Sequence, residues 1–181
     1  MTEINTSAVF DVWDVLTSRI GNLSFPAVEG FDAPAVWFGD PAQPNPDENG
    51  NMVAVGPERV VVVSAVDRPA VEWGPIGNQA QEERFAVTVM VVSELPGKTS
   101  TEARDRIRDM AAIVAADIRT VQVGTRSGAD QPDTFAGYPV WWFDTITTDP
   151  IIVPGDSGYR AMAEVTIACR FRINSPVRSN P

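Results

Sequence analysis

Between Arg84 and Arg119 the order of residues leaves little freedom. Arg84 to Glu94 alternates side by side, with Phe85, Val87, Val89 and Val91 on one face and Arg84, Ala86, Thr88 and Met90 on the other. That period of two is the signature of a strand with one face in a core. Pro96-Gly97 then turns the chain, and Thr99 with Glu102 forms a capping box. In that motif the threonine oxygen caps the new helix while the glutamate reaches back to the cap amide. Over Thr99 to Arg119, Ala103, Ile107, Met110, Ala111, Val114 and Ile118 recur at helical spacing. They predict an amphipathic helix laid on a sheet. Glu102 and Arg106 are spaced to pair at i,i+4 on its wet side.

Other segments extend the pattern. Val9, Val12, Trp13, Leu16 and Ile20 make an apolar stripe on a first helix, with Ser7 as its cap and Gly21 as a left-handed stop. Ala35 to Gly39 reads as a short strand, and Arg59 to Val66 as a strand covered on both faces. Residues 67 to 81, with two prolines and two glycines, read as a connection. Tyr138 to Thr147 is a strand, Asp149 to Gly158 a turn-rich connector, and Tyr159 to Ile173 a long alternating strand. The expected architecture is α+β, a single domain over residues 1–181. A mixed or antiparallel sheet of four to five strands carries two helices on one face. Long loops are expected at 40–51 and 121–137, and a frayed tail at 175–181.

The chemistry that composition excludes is broad. There is no histidine, so no Ser-His-Asp or Cys-His nucleophile system exists. The one cysteine, Cys169, lies on the apolar face of the last strand and can form no internal disulfide. No glycine pattern matches a phosphate-binding loop. Asn45 to Gly50 looks like the opening of a calcium loop, but the twelfth position is Gly56 where a bidentate glutamate is required. The carboxylate pairs Asp47-Glu48 and Glu82-Glu83 read as solvated charges, and neither a metal nor a cofactor is expected. A net charge of −10 repels nucleic acid and anionic membranes. The longest apolar run, around Val60 to Val63, is far too short to span a bilayer.

What remains is shape and assembly. Trp141 and Trp142 are adjacent, so on a regular strand they point to opposite faces and one must find a second layer, a loop or another subunit. The outward face of the last strand offers Arg160, Arg170 and Arg172 to an acidic neighbour. Asp47 and Glu48 in one loop, and Arg126 and Asp130 in the other, are further candidate contact residues, since loops of that length are commonly functional. Arg84, Glu164, Arg160 and Arg170 are the polar groups that a ligand pocket would have to bring together.

The arrangement as a whole resembles a known family. A first helix precedes a strand region with a proline-rich insertion. RFAVTVMVVSELPG, the helix TxxEARDRIRDMAAIVAADIR, a glycine-rich loop and the closing strand YRAMAEVTIACRFRIN follow. Over about residues 8 to 174 this resembles the tail terminator (tail completion, minor tail) proteins of long-tailed bacteriophages. The resemblance implies a virion protein assembled in the host cytoplasm and placed at the head–tail junction. Its α+β subunit would close into a homohexameric ring that stops tail-tube growth. Partners would then be further copies of the chain, the tail-tube protein and a head-completion or neck protein, with DNA only passing through the channel. It implies no catalytic residues. A neck connector, a head-closure protein, a tube subunit and a small ligand-binding or enzyme domain remain as alternatives.

Overall fold

A computed structural model describes residues 8–39, 56–73, 80–125, 134–135 and 138–174 of the chain. The elements run α1 (Ala8–Gly21), β1 (Ala35–Gly39), β2 (Glu58–Trp73), β3 (Ala80–Ser93), α2 (Ser100–Thr125), β4 (Thr134–Phe135), β5 (Tyr138–Thr147), β6 (Ile151–Gly155) and β7 (Gly158–Asn174). The fold is α+β, as expected. Its mixed sheet has six strands, slightly more than the sequence suggested, and the two-residue β4 adds to β5. The order across the sheet is β1-β2-β3-β7-β5, with β6 continuing beside β7 where β5 ends. Among the described strands β1 and β2 alone pair in parallel; all other neighbours are antiparallel.

The sheet's inner face is closed by both helices. Phe85, Val87, Val89 and Val91 of β3 lie opposite Cys169, Ile167, Val165 and Ala163 of β7 in register. All eight are buried in one cluster with the predicted stripes of α1 and α2. The alternation in β3 is therefore the pattern of a sheet dry on one side only. Phe85 and Phe171 stack with centroids 5.8 Å apart. Each large aliphatic side chain taken from water here contributes on the order of 1.5–3 kcal/mol.

Local signals explain the corners. The capping box forms as expected: Thr99 N donates to Glu102 Oε2 at 2.9 Å and Glu102 N to Thr99 Oγ1 at 3.3 Å. Gly97 takes φ +73°, which an L side chain resists. Its amide donates to Ser157 O at 2.8 Å, clamping the β6–β7 hairpin tip to the start of α2. At that crossing a Cβ on Gly158 would sit 3.2 Å from Leu95 O.

Several expected boundaries move. The stretch 67–81 is mostly strand: β2 continues to Trp73 and β3 starts at Ala80. Pro69 is accommodated where the register shifts between Asp67 and Ala70, because a bulge does not need its missing donor. The connector 149–158 contains β6, an edge strand that accommodates Pro154 for the same reason. α2 reaches Thr125, past Arg119 and into the expected loop. Gly21 stays helical and is not left-handed. Asn22 ends α1 instead, its Nδ2 donating to Ser18 O at 2.8 Å. Ser7 and residues 40–51 and 175–181 lie outside the described residues.

Candidate functional site

Two charge clusters meet at the end of the sheet where β2 begins and β3 ends. Glu58 and Ser93 face each other in register on the inner face. Glu58 is 1% exposed. The α2 residue Arg106 reaches it in a fork, with Nε to Oε1 at 2.8 Å and Nη2 to Oε2 at 2.6 Å, while Ser93 Oγ donates to Oε1 at 2.9 Å. Arg106 Nη2 also donates to Pro26 O at 2.6 Å. One guanidinium thus ties α2 to β2 and to the segment after α1. Glu58's hydrogen bonds raise the Arg106 pKa further, against the opposing effect of burial.

This overturns the expected Glu102–Arg106 pair. Glu102 turns to Thr99 and Lys98, and Arg106 goes to a carboxylate 48 residues away. A planar fork on a nearly dry carboxylate wins over an exposed i,i+4 contact, because charge-assisted bidentate bonds strengthen as water is excluded. Neither Glu58 nor its partner could be found by local spacing. The only signal was the Glu58-Arg59 pair at the head of an apolar β-branched run.

On the outer face the neighbouring residues form the second cluster. Glu94 Oε1 accepts from Arg59 Nη2 at 2.8 Å and from Arg160 Nε at 2.6 Å. Partial burial alone would raise the Glu94 pKa. The bonds from Arg160 and Arg59, with their positive charges, outweigh it and hold the carboxyl below its ordinary value. Arg59 Nε is buried without a partner. Beside this cluster an open cleft of about 350 Å³ lies between Glu94, Arg160 and the β6–β7 turn from Val153 to Tyr159.

The four polar groups proposed for a ligand pocket do not come together. Arg160 lines that cleft with Glu94. Glu164 sits opposite Met90 beside a smaller hollow of about 130 Å³. Arg84 and Arg170 are in register with each other farther along β3 and β7. Of the outward arginines of β7, Arg160 and Arg170 are half-buried. The Arg172 backbone pairs with Glu82, and its side chain is outside the description. Asp47, Glu48, Arg126 and Asp130 also lie outside the described residues. Glu83, expected to be solvated, is buried on β3 opposite Phe171.

Trp142 is in register with Arg170, and a register shift falls between Val140 and Trp142. Trp141 is therefore the extra residue of a bulge, where strict alternation of faces breaks down. Their side chains are outside the description. Cys169 is buried, and burial pushes its thiol pKa strongly up, the opposite of a reactive cysteine. Among the described residues no group of three or more acidic or cysteine side chains is placed to hold a metal ion. No described helix is long and apolar enough to cross a membrane.

Among the described residues six large apolar side chains are exposed. Phe10 and Val15 are on α1; Ile146, Ile151, Val153 and Tyr159 are on β5, β6 and the start of β7. Comparison of the sequence with protein-family models and with curated proteins finds no match.

Proposed function

We propose that this chain is a structural subunit that ends the tail tube of a long-tailed bacteriophage. It would assemble as a closed ring, stop tube polymerisation and present a surface to the head or neck. The observation that carries the reading is the element order: a leading helix, the strands β1 and β2, the alternating β3, a capped α2 and a long closing β7. This is the order on which the resemblance to tail terminators rests. The charge supports the role physically, because an acidic lumen does not grip passing DNA. So does the use of the described ion pairs. Glu58, Arg106, Glu94 and Arg160 neutralise one another and hold elements in place.

The test is mass and shape in solution: light scattering on the size-exclusion peak, negative-stain microscopy of the same fraction, and a tube-capping assay. Closed rings of about six subunits that block tube extension are the expected outcome. Open filaments would instead favour a tube subunit, since heterologous contacts that fail to close propagate. A second reading has one observation in its favour, the cleft beside Glu94 and Arg160. If this were a ligand-binding domain, a metabolite screen would raise the melting temperature. A chain that stays monomeric, fails to cap tubes and is stabilised by a small molecule would replace the ring reading with that one.

A further inference from the structure

Both helices close the inner face of the sheet, and among the described residues no helix lies over its outer face. At the far edge three apolar residues stand in register with outward residues of β7: Val153 with Arg160, Ile151 with Met162 and Ile146 with Thr166. Cross-strand partners share a face, so these three, 39%, 60% and 59% exposed, form one bare apolar strip. The open face of an antiparallel sheet is ordinarily polar, and an apolar patch on it marks a contact surface. Within the strip lies the hollow of about 130 Å³, lined by Met90, Met162, Ile151, Thr148, Asp149 and Glu164. Thr148 fixes its shape: its amide donates to Glu164 O at 2.9 Å, and its Oγ1 accepts from Glu164 N at 2.9 Å. A hollow of that size takes the end of one side chain, whereas metabolite pockets begin near about 300 Å³. Its two carboxylates, Asp149 and Glu164, are exposed and have no ion pair among the described residues.

We propose that this hollow docks a basic side chain of a protein partner, an arginine or lysine presented between apolar residues. The aliphatic stem lies on Met90, Met162 and Ile151, and the charged head meets Glu164 and Asp149. Long basic side chains are built for such a place, with an apolar stem and a charged end. Thioether side chains adapt to the shape of what they receive. Charge selects this occupant over others. A purely apolar partner would bury the carboxylates unpaired, at a cost. Nucleic acid and anionic membranes bring charge of the wrong sign. The docking does not depend on ring closure, and either can fail while the other stands.

Methionine methyl resonances of the full chain test it, because Met90 and Met162 line the hollow while Met110 is sealed in the core. A short capped peptide of alternating valine and arginine is the probe. On titration it should shift the Met90 and Met162 methyls saturably and leave Met110 in place. Glu164→Gln combined with Asp149→Asn should weaken binding about tenfold, the worth of two surface ion pairs. Both side chains are exposed, and an unchanged Met110 resonance shows that the variant folds. A peptide that moves neither methyl would overturn the proposal. So would a peptide with glutamate in place of arginine that binds as well, since the strip would then take any apolar partner. Equal binding by the double variant would remove the carboxylates from the site and sink it too. Shifts of the two methyls with protein concentration, before any peptide is added, would put a second copy there instead. None of these readouts moves with ring formation or tube capping, so failure here leaves the ring reading standing.

Discussion

The two faces of this sheet handle charge in opposite ways. On the inner face one carboxylate, Glu58, is sealed under α2 and gripped by a two-pronged guanidinium. On the outer face Glu94 shares one oxygen between two arginines and stays about one-third exposed. The two glutamates are cross-strand neighbours, since Glu58 is in register with Ser93, the residue before Glu94. The difference therefore lies in what covers each face. A sealed pair sets which helix goes where, because any other packing strands a charge in a dry core. A half-open pair costs little to rearrange.

The sharpest way to break this comparison is Glu58→Ala. It leaves Arg106, 14% exposed, without its counter-charge. It should cost about 3–5 kcal/mol, the usual penalty for orphaning one half of a buried pair. Urea unfolding monitored by tryptophan fluorescence measures it, and a loss under 1 kcal/mol would mean the inner pair is not sealed. Leu16→Ala, a fully buried α1 residue, should cost about 2–5 kcal/mol by leaving a cavity. Together these set the scale of the inner face.

Arg160→Ala should cost less than about 1 kcal/mol in the same experiment, because its exposed ion pair is weakened by water and salt. A destabilisation as large as that of Glu58→Ala would erase the distinction between the faces.

The smallest effect is in acid. Glu94 has a lower pKa folded than unfolded, so near the carboxylate range the unfolded chain binds more protons. Its contribution is complete above the ordinary value of 4.5 and is lost as pH falls from there through its own lower pKa. Glu94→Gln should flatten that part of the stability curve below pH 4.5, measured by chemical unfolding at successive pH values.

Much of the fold was legible because local and tertiary demands agree. The box at Thr99 and the stripe from Ala103 to Ile118 point to one helix, and the core keeps that stripe buried. Tyr138 to Thr147 came out with both ends in place. Where the sequence misled, a distant partner overrode a local cue. Arg106 left Glu102 for Glu58, and Pro69 and Pro154 were read as breaks although a bulge and an edge absorb them. The end of α2 was hidden by Val121, Val123 and Gly124, poor helix formers that the helix nevertheless includes.

Cys169 has a practical consequence. It is the single thiol of the chain, at the middle of the sheet with β3 on one side and β5 on the other. Its thiol lies in the core under the helices, so a reagent in solution can reach it only when that core opens, and its rate of modification is a clock for that opening. Reading that clock free and assembled would show directly whether joining neighbours braces each subunit from within, with no label added.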